Sequence, residues 1–230
     1  MRKHSGIIKE LRLEAGVYPG AWIECGLPAA LPEPGQYLMG WAPDDADAPL
    51  AVPLFPAGLG ESGFLAAPPV PLTWEPSTQL ELSGPFGHGF ELPQTARRLA
   101  LGALGTSITC LQPLIERALA RQMAVTLYAD CWLPSLPSAL EIYPLAALPE
   151  ALTWADLLAL DTDRQRLPEL RRLLGIEPGS GLPCPIQALV HTPLTCAGVA
   201  ECGACAVPGR KHWKLACIHG PVFDLASLDW

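Results

Sequence analysis

The sequence predicts an α+β multidomain chain: an antiparallel β-barrel first, a central α/β domain second and a small cysteine-rich module last. Three observations predict it. Proline and glycine, 26 and 21 in 230 residues, punctuate the chain too often for a helical bundle. Near Ala96 the texture changes from short strand-like runs to a strand–helix–strand pattern. Beyond residue 181 lie five of the eight cysteines. Half of the residues are apolar and 17% are charged, enough to bury a sizeable core. The expected units are residues 1–93, 94–181 and 182–230.

In the first unit the strand-like runs are Ile7–Leu13, Ala21–Cys25, Gln36–Trp41 and Gln79–Leu82, each bounded by glycine or proline. Their short spacing suits a barrel or sandwich. In the second, Leu99–Leu104 is an apolar run suited to a strand covered on both faces. Leu111, Leu114, Ile115, Ala118 and Leu119 then recur on one helical face, and Ala124–Tyr128 reads as the next strand. Together they make a βαβ unit. Thr153–Asp156 has the form of a capping box opening a helix through Leu157, Leu158 and Leu160. A further helix is expected over Leu167–Leu174, closed by Gly175. Residues 177–183 read as a linker.

A formal charge of −8 argues against nucleic acid as a partner and gives no attraction to an anionic membrane. The charged start, from Met1 to Ser5, is not followed by an apolar signal-peptide core. No apolar run approaches the roughly 20 residues that span a bilayer, so a soluble, cytoplasmic protein is expected. In a reducing compartment clustered cysteines point to metal, whereas isolated ones are small buried hydrophobes. Cys25, Cys110, Cys131 and Cys184 are isolated in this sense.

Cys196, Cys202, Cys205 and Cys217 form C-x5-C-x2-C-x11-C. The C-x2-C turn sets two thiolates side by side, and the flanking cysteines complete four ligands. Zinc ribbons usually pair two tight turns. One tight turn, one wider loop and one distant cysteine lie closer to the plant-type [2Fe–2S] arrangement. Gly198 and Gly203 would let the loop turn its amide groups toward a negatively charged cluster, although a zinc site would profit from them too. His219, two residues past Cys217, is expected beside the ligand set rather than in it, and His212 in a solvated basic turn.

The order of parts resembles the electron-transfer subunit of class B dihydroorotate dehydrogenase, within the ferredoxin-reductase-like flavoproteins. The resemblance is densest in Glu201–Val207 and Leu215–Asp224, with its Gly-Pro-Val-Phe ending, and extends to Pro34–Tyr37 and Gly84–Phe90. It implies a ferredoxin-reductase-like fold and electron transfer to or from a catalytic flavoprotein dehydrogenase subunit in pyrimidine biosynthesis. The assembly implied is a heterotetramer, with NADH or another donor and no catalytic acid, base or nucleophile on this chain. The cofactors implied are the [2Fe–2S] cluster and FAD. The positions corresponding to the flavin site are Tyr37, Gly84, Pro85, Phe86 and Gly87, and those corresponding to the nucleotide site are Gly102 and Gly105. Two departures stand out. Ala51–Pro56 has neither the arginine nor the serine of the family's flavin strand, and the turn from Leu101 to Cys110 has few glycines and a cysteine where proline is usual. Two further readings are a flavin-free, cluster-bearing accessory subunit of another oxidoreductase complex and a zinc-stabilised partner-binding scaffold.

Overall fold

In the computed structural model the described residues are 3–12, 20–25, 31–105, 107–131, 133, 136–177, 179–200 and 202–230. Of the sequence features above, Met1, Arg2, Leu13, Thr106, Pro178 and Glu201 lie outside them. The first half forms β1 (Lys3–Arg12), β2 (Gly20–Glu24), β3 (Tyr37–Trp41), β4 (Val52–Leu54), β5 (Pro56–Leu59), β6 (Gly63–Ala66) and β7 (Gln79–Phe86). They pair antiparallel in the order β4-β3-β7-β1-β2-β6-β5. A single residue, Phe55, separates the two edge strands, so the chain itself joins the sheet's edges and closes it into a barrel.

Alternation dictates the barrel's inside. On β7 Leu80 and Leu82 are buried while Gln79 and Glu81 face water. They join Ile8, Ile23, Leu38, Leu54, Phe64 and Trp74 in a core of the barrel's own. Strands β4, β5 and β6 were not expected from the sequence. Their three or four residues are too few to display a period, and Pro53 and Pro56 argue locally against strand.

The second half builds a six-stranded sheet from β8 (Arg98–Ala103), β9 (Ala124–Ala129), β10 (Leu140–Tyr143), β11 (Leu157–Asp163), β12 (Ile186–His191) and β15 (Val222–Asp224). The order is β10-β9-β8-β11-β12-β15, parallel except for β15. Around it lie α1 (Gln112–Ala120), α2 (Leu148–Trp154) and α3 (Leu167–Leu174), the last closed as expected by Gly175 at φ +63°. The direction of winding reverses between β8 and β11. In a doubly wound sheet that is the crevice where ligands bind, at the carboxyl ends of the strands.

The expected capping box is overturned: α2 ends at Trp154, and Leu157–Asp163 is strand. Leu157, Leu158, Ala159 and Leu160 are all fully buried between β8 and β12, a demand for two covered faces that an amphipathic helix does not meet. Asp156 instead binds the neighbouring strand. Its carboxylate accepts the Arg97 and Arg98 amides at 2.9 and 3.0 Å and the Arg98 guanidinium at 2.7 Å. Strands β12 and β15 fall within residues 182–230 yet complete the central sheet. Between them lie β13 (Ala206–Val207), β14 (Lys214–Leu215) and the short α4 (Ala216–His219). No helix among the described residues is long and apolar enough to cross a membrane.

The bonds to Arg98 and to the Arg97 and Arg98 amides lower the Asp156 carboxyl to about 2, from 3.8. A depressed carboxyl contributes stability above its unfolded value and loses it as pH falls through the folded one. Asp156→Asn therefore lowers the urea midpoint at pH 7. The gap to the parent protein closes as pH falls from about 4 to about 2, which paired urea titrations would measure.

Candidate metal centre

The four tail cysteines come together, and they do so in two pairs. Cys196 Sγ lies 3.9 Å from Cys202 Sγ, and Cys205 Sγ lies 3.3 Å from Cys217 Sγ. Among the described residues no three of these sulfurs lie within 4.8 Å of one another. A tetrahedral zinc, with Zn–S bonds near 2.3 Å, would hold every pair about 3.8 Å apart. Two thiolates on each of two bridged irons would give the paired pattern instead.

Local chemistry sets each sulfur in place. Ala197 and Gly198 at φ +47° and +81° turn the chain after Cys196, and Gly203 at φ +73° turns it before Cys205. The Ala216 amide donates to the Cys205 carbonyl at 3.0 Å, fastening α4 and its Cys217 to the C-x2-C turn. His219 is not aimed at the sulfurs: its Nδ1 accepts the Leu215 amide at 3.1 Å and so closes α4. From the end of β11, the Arg164 guanidinium donates to the Ala204 and Ala206 carbonyls at 3.2 and 2.7 Å. Cys205 and Cys217 belong to the main core, whereas Cys196 is half-buried and Cys202 exposed. Burial, then Cys205 and Cys196, push the Cys217 thiol up to about 12. Backbone hydrogen bonds at Ala200 and Gly198 hold Cys196 below its ordinary value. A cation would relieve the crowding of buried thiolates, which fits this donor set to a metal cluster.

Tyr37 sits beside the same sulfurs. It is fully buried, packed against Phe55 and Phe86 at 5.5 and 5.7 Å, and its hydroxyl has no partner among the described residues. Burial, then Cys217, Cys205 and Cys196, raise its ionisation above the ordinary phenol range, so it stays a neutral donor. Of the other expected flavin positions, Gly87 lies against the tail. Gly84 is buried, and Pro85, Phe86 and Gly87 are partly so. At Gly87, φ +77°, a Cβ would come within 2.4 Å of Pro221 Cδ and 2.7 Å of the Gly220 carbonyl.

A slot of about 430 Å³ opens between the barrel and the α/β layer, lined by Val52, Pro53, Phe55, Pro68, Cys110 and His191 among others. Its size and apolarity suit a flavin ring, and the Thr192 hydroxyl on its wall is buried without a partner. Among the described residues neither lysine nor arginine lines it and His191 is its basic side chain, so the slot does not provide a permanent cation for a dinucleotide's diphosphate. The expected nucleotide glycines separate. Gly102 is core, where a Cβ would meet Leu160 at 2.6 Å and Leu148 at 3.0 Å. Gly105 borders a cavity of about 200 Å³ at the reversal between β8 and β11.

One group was missed in the sequence. Cys110, Asp161 and His191 bring donor atoms within 4.8 Å of one another beside that cavity. Cys110 was read as isolated because its neighbours are remote in sequence. The available signal was an aspartate inside an apolar strand, Leu157–Asp163, and a histidine closing Ile186–His191.

Residues 195–229 match the family described as the iron–sulfur cluster binding domain of dihydroorotate dehydrogenase B. None of the curated proteins compared with the chain matches it. Among solved structures, an NADH-dependent reduced ferredoxin–NADP oxidoreductase, studied for flavin-based electron bifurcation, is similar at TM-score 0.73 and 19% identity. That match covers 98% of this chain and 90% of the other. The ferredoxin reductase of carbazole 1,9a-dioxygenase, in its FAD apo form, follows at 0.57 and 16%, over 76% of this chain and 63% of that one. The ferredoxin–NADP+ reductase of Plasmodium falciparum gives 0.59 and 11%, over 82% and 96%. The fold is therefore ferredoxin-reductase-like, and residues 195–229 are similar to an iron–sulfur binding domain.

Because Gly87 has both a left-handed backbone and no room for a Cβ, Gly87→Ala should cost about 1–3 kcal/mol. The expected signs are a lower urea midpoint and earlier proteolysis of the tail.

Proposed function

We propose that this chain is an electron-transfer subunit in which Cys196, Cys202, Cys205 and Cys217 hold a [2Fe–2S] cluster. It would exchange electrons with a flavoprotein dehydrogenase of the dihydroorotate dehydrogenase kind, in pyrimidine biosynthesis. The observation that carries this reading is the division of the four sulfurs into two pairs. The match of residues 195–229 supports it. When bound, such a cluster takes up and releases single electrons without rearranging its ligands.

The chain's own residues supply position and environment. Arg164 and the Ala216 amide hold the loop on either side of Cys205. The Tyr37 hydroxyl is the buried donor available to a cluster sulfur, and hydrogen bonds to sulfur raise a cluster's potential. FAD is the second group considered: the interdomain slot suits its ring, with Tyr37, Gly84, Pro85, Phe86 and Gly87 nearby. The missing cation favours a weakly held flavin or a relay without one. The partner would be the catalytic subunit of a heterotetramer, with NADH or another donor upstream. As functional units we assign residues 1–93 to the barrel, 94–191 with 222–224 to the α/β layer, and 192–221 to the cluster module.

Anaerobic purification followed by iron, sulfide, zinc and flavin analysis tests the assignment. Two irons and two sulfides per chain are expected, with visible iron–sulfur absorption. Cys202→Ser and Cys205→Ser should each lose most of the iron, while Cys131→Ser should keep it. A colourless anaerobic preparation holding one zinc in the tail would sink the proposal.

A further inference from the structure

Beside the cavity at the reversal of the central sheet lies a second donor set, separate from the tail cysteines. Asp161 stands near the end of β11, His191 ends β12, and Cys110 sits on the turn Thr109–Leu111 that follows β8. Two strands and the turn that follows a third thus deliver a carboxylate, an imidazole and a thiol to one point. Their donor atoms lie within 4.8 Å of one another, and His191 Nε2 is 2.6 Å from Asp161 Oδ1. The His191 ring is braced by the edge of Phe55, centroids 5.6 Å apart at 73°. All three side chains line the 200 Å³ cavity together with Gly105, Ser107, Thr109, Thr162, Asp163 and Pro68.

The charge of this cavity opposes its expected use. A dinucleotide's phosphates need donors and positive charge at the reversal. Here the lining holds two carboxylates, Asp161 and Asp163, and neither lysine nor arginine. Arg164, next along the chain, spends its guanidinium on the Ala204 and Ala206 carbonyls. A buried thiol beside a buried carboxylate is likewise ill suited to an anion and well suited to a cation. Ligand bonds of about 2.0–2.3 Å in a tetrahedral site put donor atoms roughly 3.3–3.8 Å apart. The cluster reaches that spacing as the Asp161–His191 hydrogen bond, 2.6 Å long, opens and Cys110, within 4.8 Å of both, closes on them.

We propose that Cys110, Asp161 and His191 form a three-ligand site for a divalent, borderline-soft cation, Zn²⁺, in the crevice where this fold would otherwise receive a nucleotide. A mixed sulfur, nitrogen and oxygen set suits zinc, and three protein ligands leave a fourth position for water or a small anionic ligand. That position opens on the hydroxyls of Ser107 and Thr109. On binding, the Cys110 thiol gives its proton to solvent, the proton held between His191 and Asp161 passes to the other ring nitrogen or to solvent, and thiolate, imidazole and carboxylate join the metal.

The test uses the full chain with its iron in place, washed with chelator, dialysed against Zn²⁺ and desalted. Zinc and iron are then counted by plasma mass spectrometry, and the zinc K-edge absorption is recorded. One zinc per chain is expected, with a shell of one sulfur and lighter atoms. In Cys110→Ser and Asp161→Asn zinc affinity should fall by about tenfold or more, the scale reached even by outer-shell changes, while iron stays constant. If the variants do not fold, the shell of the parent protein decides alone. Absence of retained zinc, equal retention by the folded variants, or an all-sulfur shell would each overturn the site. The last result would leave a buried Asp–His pair with a bystander thiol. Zinc in a mixed shell without iron in the tail would uphold this site and sink the cluster assignment, so the two fail separately.

Discussion

Three consecutive residues, Gly220–Val222, are hydrogen-bonded on both sides, and the rest of the molecule is arranged around them. On one side His88 donates its amide to Gly220 at 2.6 Å and accepts that of Val222 at 3.4 Å. On the other, Val190 of β12 donates to Pro221 at 2.9 Å, and β15 continues the pairing. The strip therefore fastens the barrel's last loop, the central sheet and the cysteine loop to one another. It also explains why a single core runs from Tyr37 and Phe55 through β8, β11 and β12 to Cys205, Cys217 and Phe223. A cysteine loop too small to build its own core borrows one.

That shared core gives the two candidate centres opposite settings within one fold. At the tail, backbone turns and carbonyls position four sulfurs in pairs, and a buried, uncharged phenol, Tyr37, shares their core. At the sheet reversal, carboxylates meet a thiol and an imidazole in a cavity whose described lining holds neither lysine nor arginine. A ferredoxin-reductase-like frame is thus retained while the electrostatics of its ligand crevice run against the phosphates such a crevice receives. Fold and site chemistry are separable quantities.

Where sequence and structure agree, the reason is periodicity strong enough to survive its surroundings. The face Leu111–Leu119, the run at Leu99–Leu104, the Gly175 stop and the glycine turns around the cysteines all state their structure locally. That the four tail cysteines gather was legible because loop spacing limits how far apart their sulfurs can lie. Failures arose where a long-range demand prevailed. Leu157–Leu160 satisfies a helical or a strand pattern equally, and burial on both faces decided for strand. The barrel strands at 52–66 are too short and too rich in proline to announce themselves. Cys110, Asp161 and His191 are distant in sequence, and only the strand order brings them together.

The paired sulfurs also differ in what surrounds them. Cys205 and Cys217 are 2% and 6% exposed, while Cys202 faces water. The centre consequently has an inner half and an outer half. Around the outer half stand Val199 and Ile218, apolar and exposed. Close approach to the centre from solvent therefore passes apolar side chains, and the release of water from them favours contact there.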